Sequence, residues 1–260
     1  MVLFLQTLAI SLVIALVLRS GEWIVRNRTT IRTWFWITLH PRTTIRISVG
    51  VLCQIRLEDE YLLIRQSWRR QQLGPIGGAI HVFQPGVDRL LRLSFVLEGT
   101  KEDHWGDLNA YALRGTLPAS HLLTFQKWLH EDTAERETFE EGIQRELYEE
   151  IQLPDGTLDN ALAFGSFHRI RNVVEPPRKV SGPNIWQWRY LRVFEFVPRQ
   201  TNGQALMKLL ETQGSSGTYV ELVSADDIRA GRSPRGTQIG NHAEFLLAER
   251  ANRPEMPWRT

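Results

Sequence analysis

The sequence predicts an α/β fold in which a β-sheet is enclosed by helices in a layered sandwich. The first observation is an alternation of apolar and polar residues from Ile45 to Leu57, which is typical of a half-buried strand. The second is a helical stripe in which apolar residues recur at every fourth position: Phe139, Ile143, Leu147 and Ile151. Further strands and helices alternate along the chain, and this order favours an α/β/α sandwich.

Composition sets limits on the class of protein. The 260 residues carry a net charge of +2 and are 42% hydrophobic, which suits one medium-sized domain with its own core. This weak positive charge gives no basis for binding duplex nucleic acid. The single cysteine, Cys53, excludes an internal disulfide and cysteine-based zinc sites. Because Cys53 falls within the apolar alternation, we expect a buried thiol rather than a nucleophile.

The N-terminal residues 1–18 contain no charged side chain. As a helix they would extend about 27 Å, at the short end of what a bilayer core requires. Arginines follow this segment at positions 19, 26, 28 and 32, whereas a signal peptide has its basic residues first. The positive-inside rule therefore predicts a single-pass transmembrane helix with its N-terminus outside and the bulk of the chain in the cytoplasm. A buried soluble helix is the alternative, but it would have a polar face.

Three small residues, Thr7, Ser11 and Ala15, are spaced by four within this apolar segment and share one helical face. Small residues at this spacing let transmembrane backbones approach closely, so the face is a candidate for homo-oligomerisation. Ordinary tolerance of small residues in a span explains the pattern equally well. Residues 19–42 interleave tryptophan with arginine, which predicts an interfacial collar at the headgroup level.

Residues 43–260 contain the remaining predicted elements. Residues 58–60 turn the first strand, and Tyr61–Arg65 returns as the second strand of a hairpin. A strand ending in two glycines, Gly77 and Gly78, follows. The pattern then predicts a helix at Pro118–His130, followed by the helix that carries the apolar stripe. Two strands follow at Ala161–Ile170 and Trp186–Phe196, separated by a loop around Pro176, Pro177 and Pro183. The last predicted elements are a short helix within Gln200–Gly217, a strand at Tyr219–Val223 and a C-terminal helix at Asn241–Arg250.

The most specific motif is an Arg-Glu-Leu-Tyr-Glu-Glu run at 145–150. Residues three and four apart share a helical face, so Glu146, Glu149 and Glu150 lie together beside the apolar stripe. Three carboxylates at such short range repel one another unless a hard divalent cation joins them. Arg145 points elsewhere and can reach back toward Glu137, fixing the loop that enters the helix. A solvated acidic face is the alternative interpretation.

Together with the upstream glycine pair, this motif resembles the Nudix signature. The second half of that signature is a glutamate, seven residues and Arg-Glu-x-x-Glu-Glu, which matches Glu137 and the run at 145–150. The glycine pair lies much further upstream than usual, so an insertion at about residues 84–136 splits the signature. Gln152 stands where the family usually has glycine. The resemblance extends from Thr43 to Ala248.

The resemblance implies a site for Mg²⁺ or Mn²⁺ and a nucleotide ligand. Three glutamates would be the metal ligands: Glu146, Glu149 and Glu150. Glu137 and Arg145 would be the supporting pair in a hydrolase. Gly77 and Gly78 would let the backbone approach the phosphates.

Two further groups of residues are candidates for nucleotide binding. Trp186 and Trp188 share one face of their predicted strand and are suited to stacking on a base, although packing in the core is the alternative. Arg169 and Arg171 lie near that strand in the sequence and are candidates for phosphate contacts. A solvated loop explains these arginines equally well.

A Nudix domain directly after an N-terminal span resembles the membrane-anchored Nudix effectors of bacterial CBASS anti-phage systems. This resemblance implies a domain that senses a cyclic oligonucleotide and drives assembly of transmembrane helices, disrupting the lipid bilayer of the bacterial inner membrane. The alternative is a membrane-tethered Nudix hydrolase that cleaves a nucleoside diphosphate-linked substrate with Mg²⁺ or Mn²⁺.

Overall fold

The computed structural model describes residues 30–65, 72–98, 110–151, 165–180, 185–216 and 220–247. These residues form a mixed α/β architecture, which confirms the predicted fold class. The helices are α1 (including residues 30–39), α2 (Gln84–Arg92), α3 (Leu122–His130), α4 (Phe139–Glu150), α5 (Gln200–Ser216) and α6 (Ala225–Ala230). The strands are β1 (Thr44–Gln54), β2 (Arg56–Leu57), β3 (Glu60–Arg65), β4 (Gln72–Gly74), β5 (His81–Val82), β6 (Val96–Leu97), β7 (Tyr111–Ala112), β8 (Arg114–Pro118), β9 (Gly165–Val180), β10 (Ile185–Pro198), β11 (Val220–Val223) and β12 (Gln238–Ile239).

Two five-stranded sheets form the centre of the described chain. The first has the strand order β6-β8-β1-β10-β9, in which β1 and β10 are parallel and the other pairs are antiparallel. The second has the order β11-β3-β4-β12, with β2 paired to β3 as the predicted hairpin. Strands β5 and β7 form a separate two-stranded ladder.

Strand β1 changes its neighbour on one side halfway along its length. Strand β8 pairs with residues 44–48, while β10 pairs with residues 45–54 on the other side. Beyond that point the segment after β4 replaces β8, because the Val51 N–H donates to the Gly78 carbonyl at 2.9 Å. The Cys53 N–H likewise donates to the Ile76 carbonyl at 2.8 Å. The two neighbours separate at residues 48–50, and an opening forms beside β1.

The alternating side chains of β1 pack into two hydrophobic cores. Its odd-numbered residues from Ile45 to Ile55 join one core together with side chains of α3, α4 and α5. Leu52 points to the opposite face and joins a second core with Leu63 and Phe245. Helices therefore cover both faces of the sheets, as expected for the sandwich. Cys53 is buried in the first core, and this burial raises the pKa of its thiol, so it is the buried thiol that the sequence predicts.

The proline-rich segment differs from its prediction. Pro176 and Pro177 do not lie in a loop but within β9, which pairs with β10 along most of its length. Proline has no N–H group to donate to a neighbouring strand. Because β9 is at the edge of its sheet, these two prolines are accepted there without the loss of hydrogen bonds inside the sheet. The register shifts between Gln187 and Arg189, opposite the two prolines. Pro183 lies outside the described residues.

Three predicted helices also have different bounds. Helix α5 is 17 residues long rather than short. The predicted helix at Pro118–His130 divides, because Pro118 ends β8 and a 3-10 turn at Ala119–His121 precedes α3. The predicted C-terminal helix is a 3-10 helix at Asn241–Leu246 in the described chain, which buries Ala243, Phe245 and Leu246 in the second core.

The described end of the predicted collar is helix α1. Its Trp36 packs on Trp186 with ring centroids 4.9 Å apart, and Ile37 is buried. Trp34 and Phe35 on the same helix are exposed, at 52% and 57%. Helix α1 is therefore docked on the sheet by one face and presents two aromatic rings on the other.

The predicted membrane location requires correction. In the described ranges we find no helix whose length and apolar character suffice to cross a bilayer. The assignment as a single-pass protein of the inner membrane is therefore not supported. The predicted span at 1–18, with its face of Thr7, Ser11 and Ala15, lies outside the described residues.

Candidate functional site

Helix α4 presents the glutamates to the opening beside β1. It begins with a reciprocal capping pair: Thr138 accepts from the Glu141 N–H at 3.1 Å, and Glu141 accepts from the Thr138 N–H at 2.7 Å. Its stripe packs into the first core through buried residues: Phe139, Ile143 and Leu147. This packing fixes the rotation of α4 about its axis, so the face beside the apolar stripe points toward the opening. The three glutamates that the helical period brings together line that opening: Glu146, Glu149 and Glu150.

Arg145 makes the predicted contact with Glu137. Its Nε donates to Glu137 Oε1 at 3.0 Å, and a second guanidinium nitrogen donates to the Ala79 carbonyl at 2.8 Å. Glu137 is only 6% exposed, so Arg145 neutralises a carboxylate that has little access to water. This pair ties the start of α4 to the segment that carries the glycine pair.

Arg145 also contacts two of the predicted metal ligands, which the sequence did not indicate. One guanidinium nitrogen donates to Glu146 at 2.9 Å and to Glu149 at 3.1 Å. Burial lowers the pKa of Arg145, but the carboxylates of Glu146, Glu137 and Glu149 outweigh burial and raise it above its usual value. Arg145 is therefore the central cation of a cluster of carboxylates.

Two of the glutamates are held in environments that disfavour ionisation. Burial is the main cause that raises the pKa of Glu150 from 4.5 to about 8, and the charge of Glu146 adds to it. The Gly77 N–H donates to Glu150 at 3.2 Å and acts in the opposite direction. Burial also raises the pKa of Glu146 to about 6, although Arg145 opposes this shift. An added cation would favour the ionised form of both carboxyls.

The predicted glycine pair lies directly against these glutamates. A Cβ atom on Gly78 would come within 2.2 Å of Glu146 Oε1. Gly77 has a φ of +146°, and a Cβ atom there would come within 2.2 Å of the Val51 carbonyl oxygen. Glycine at both positions therefore allows the loop to lie between β1 and the glutamates.

The residues at the acidic end of the opening meet some, but not all, of the requirements of a site for a hard divalent cation. Their donors are carboxylate oxygens, which Mg²⁺ and Mn²⁺ prefer. Glu149 Oε1 is buried and has no hydrogen-bond partner among the described residues. However, no group of three acidic, histidine or cysteine side chains in that part of the chain is arranged to hold a metal ion. Arg145 already binds Glu146 and Glu149, so a metal ion would compete with it.

The opening is a pocket of about 240 Å³ with chemically different ends. The acidic end is formed by the glutamates and by Gly77 and Gly78, and the basic end by Arg114 and Arg189. Neither of these arginines is among the residues that the sequence predicts for the site. The sequence around Arg189 contains an indication of a role in the site, since this charged residue stands between two aromatic residues, Trp188 and Tyr190, of β10. No such indication is present around Arg114 at the start of β8.

The other predicted nucleotide-binding residues do not line this pocket. Trp188 is 1% exposed and packs against Phe125 in the first core. Trp186 packs on α1, and Arg169 and Arg171 project from β9 at the edge of the sheet. The strand pattern could not distinguish these positions from pocket positions, because β10 is covered on both faces.

A family model described as SMODS-associated NUDIX domain matches residues 44–247, which is more than half of the chain. The chain belongs to the SMODS-associated NUDIX domain family. No curated protein matches the sequence. The family agrees with the resemblance to Nudix proteins and indicates a CBASS-associated type, an effector in defence. Nudix domains typically use divalent metal ions, and SMODS-associated Nudix domains are linked to cyclic oligonucleotide signalling.

Proposed function

We propose that this SMODS-associated Nudix domain senses a cyclic oligonucleotide in a defence response, by binding it in the pocket beside β1. The observation that carries the proposal is the pocket itself. It has a volume of about 240 Å³ and is lined by the glutamates of α4 and by two arginines, Arg114 and Arg189. A cyclic oligonucleotide carries several phosphate groups. With a cation bound to the glutamates, both ends of the pocket would be positively charged and could each bind a phosphate.

The chain's own residues prepare the acidic end for a cation. Glu149 supplies a buried oxygen without a hydrogen-bond partner in the described part of the chain, and Glu150 is held next to the Gly77 N–H. A Mg²⁺ or Mn²⁺ ion held by these glutamates would supply positive charge for phosphate oxygens. Arg145 would then lose its contacts with Glu146 and Glu149, while those with Glu137 and the Ala79 carbonyl remain compatible with the ion.

This exchange gives the sensor two states. A ligand shifts a protein between two states only if it binds them with different affinities. In one state Arg145 bridges Glu137 to the glutamates of the pocket, and in the other the cation and ligand replace that bridge. Because the Ala79 carbonyl accepts from Arg145, movement of Arg145 affects the segment that carries Gly78 and its bond to β1. Assembly of several copies is the response we propose for this change.

Hydrolysis of a nucleoside diphosphate-linked substrate is the second candidate. One observation favours it: the glutamate set is complete and Glu137 is held by Arg145, as the resemblance implies for the supporting pair in a hydrolase. In a hydrolase the metal ion would also activate water for attack on the phosphate. Both candidates use the same pocket and differ in whether the ligand is cleaved.

The test offers the full-length chain a panel of cyclic oligonucleotides and linear nucleoside diphosphates, with Mn²⁺ or with EDTA. Calorimetry measures binding, chromatography measures cleavage and sedimentation measures oligomeric state. We expect Mn²⁺-dependent binding of a cyclic oligonucleotide and a larger assembly. The double variant Glu149→Gln with Glu150→Gln should lose this binding by at least tenfold, while Glu140→Gln, an exposed glutamate of the same helix, should retain it.

Two results would contradict the sensor. Cleavage of a linear diphosphate without binding of any cyclic oligonucleotide would favour the hydrolase. Equal Mn²⁺ and ligand binding by the double Gln variant and the wild type would remove the glutamates from the site altogether.

A further inference from the structure

The basic end of the pocket belongs to a row of arginines across the first sheet. In register, Arg114 on β8 faces Ser48 on β1, and Ser48 faces Arg189 on β10. One step along, Arg46 on β1 faces Gln187, which faces Arg178 on β9. All of these side chains lie on the face of β1 that also carries Gly50, because residues two apart on a strand point the same way.

Two carboxylates, those of Glu98 and Glu175, lie beside this row of arginines. Glu98 binds Arg46 at 2.7 Å, and Glu175 accepts from Arg178 at 2.8 Å. Glu175 also lies 3.3 Å from Arg189. Glu98 and Glu175 thus contact three members of the row, Arg46, Arg178 and Arg189, whereas Arg114 contacts neither carboxylate. The pKa of Arg189 is lowered to about 10, mainly by burial and also by the charges of Arg178, Arg46 and Arg114, while Glu175 acts in the opposite direction.

Arg114 is the member of the row without a counter-charge. Its guanidinium forms no hydrogen bond or ion pair with any residue in the described ranges, and its side chain is exposed at the pocket. Arg189, in contrast, is 7% exposed and is fixed within the sheet. A fixed arginine and an exposed arginine on the two strands that flank β1 are an arrangement suited to a phosphate, which can accept from two guanidinium groups at once.

The two ends of the pocket are separated along β1. Ser48 marks the level of the two arginines, and Gly50 marks the level of Gly78 and the glutamates, since a Cβ atom on Gly50 would lie 2.3 Å from the Gly78 carbonyl oxygen. Two residues of a strand extend roughly 7 Å. This distance exceeds the size of one phosphate group and accommodates two anionic groups of one ligand.

We propose that Arg114 and Arg189 form a phosphate subsite, distinct from the glutamate end, so that the pocket selects ligands with at least two phosphate groups. The identity of the ligand rests on the proposed function, but the subsite does not require it. The arginines supply their own positive charge, so this end binds an anion without a metal ion. The glutamate end, which carries negative charge, requires one.

The test measures binding of inorganic pyrophosphate to the full-length chain in EDTA by calorimetry. We expect the wild type to bind, and we expect Arg114→Gln to weaken binding about tenfold, because it removes charge-assisted hydrogen bonds. Arg114→Lys keeps the charge but loses the planar fork, so its affinity should fall between the two. Arg92→Gln, at an exposed arginine of α2 outside the pocket, is the matched control and should bind as the wild type does.

Equal pyrophosphate affinity in Arg114→Gln and the wild type would overturn the subsite, as would an equal loss in Arg92→Gln. Arg114→Gln is the deciding variant because its side chain is exposed, whereas substitution of the buried Arg189 risks the fold. If no cyclic oligonucleotide binds with Mn²⁺ but pyrophosphate binding in EDTA depends on Arg114, the proposed function fails and the subsite stands.

Discussion

Arg145 and Arg189 are two largely buried arginines at opposite ends of one pocket, and their surroundings are opposite in charge. The Arg145 side chain is 20% exposed and contacts three carboxylates, those of Glu137, Glu146 and Glu149. The Arg189 side chain is 8% exposed and lies near one carboxylate and three other arginines. Burial acts against both charges, yet the pKa of Arg145 rises and that of Arg189 falls to about 10.

The difference shows that neighbouring charge, rather than burial, distinguishes the roles of the two residues. Arg145 is needed by the protein itself, because without it three carboxylates would remain close together with little water. Arg189 shares the Glu175 carboxylate with Arg178 and lies near two more arginines, so an added anion would reduce the repulsion among these guanidinium groups. A positive group that is crowded by other positive groups is a better indicator of an anionic ligand than a positive group alone.

The largest expected effect is that of Arg145→Met on stability. It leaves the buried Glu137 carboxylate without its cation, and breaking such a pair costs about 3 kcal/mol or more of the free energy of unfolding. Urea unfolding at pH 7 in EDTA measures the change. Arg56→Met, in an exposed ion pair with Asp59, is the control and should change stability by less than about 0.5 kcal/mol. A loss below 1 kcal/mol for Arg145→Met would contradict the structural role of Arg145.

The next effect concerns the pH dependence of stability at the acidic end. Glu150 has a pKa of about 8 when folded, against 4.5 as its ordinary value, so the folded protein binds more protons between these values. The contribution of Glu150 to stability in EDTA should therefore be fully present below about pH 4.5 and be lost as the pH rises to about 8. Glu150→Gln cannot ionise and should therefore be more stable than the wild type at pH 8.

Urea unfolding between pH 5 and pH 8 measures this difference. Glu211→Gln, at an exposed glutamate of α5, serves as the control and should follow the wild type. Part of the dependence should remain in Glu150→Gln between about pH 4.5 and pH 6, because Glu146 also has a raised pKa. A wild-type stability that rises over this whole range would show that the acidic end is not strained by its charges.

A smaller effect is expected for Arg189→Met. Glu175 keeps Arg178 at 2.8 Å, so it is not left without a positive partner, and three arginines lose a repulsive neighbour. We expect a loss of about 1 kcal/mol, well below that of Arg145→Met, in the same urea assay. If both substitutions cost the same, the contrast between the two arginines does not hold.

The smallest effect is that of Arg114→Gln on stability. Since its guanidinium has no partner in the described chain and its side chain is exposed, the change should stay within about 0.5 kcal/mol. Thermal and urea unfolding measure it. A loss above about 1 kcal/mol would mean that Arg114 supports the fold, which would weaken its assignment to a ligand.

The acidic end could be predicted from the sequence because its geometry is local. Glu146, Glu149 and Glu150 share one helix, so the helical period alone brings them together, and Arg145 reaches Glu137 within eight residues. The basic end could not be predicted in this way. Arg114 and Arg189 are 75 positions apart in the sequence, and they meet only because β8 and β10 flank β1.

The misassigned segments have the same explanation. Pro176 and Pro177 indicate a loop by local rules, but a proline is accepted in an edge strand, and edge position depends on the order of strands. Trp188 and Trp186 share a strand face, yet one is covered by α3 and the other by α1. Which helix covers a strand face is decided by the whole fold and not by the strand's own residues.

The two prolines of β9 also limit how copies of this chain can associate. An exposed strand edge invites a strand from another molecule, which can lead to continuous sheets and aggregation. Pro176 and Pro177 offer no N–H groups for such pairing, and the other edge of that sheet, β6, is two residues long. The remainder of β9 bears the charges of Arg169 and Arg171, which repel the same strand of a second copy. Assemblies of this protein are therefore expected to form through side-chain surfaces, which can close and reopen, rather than through a shared sheet.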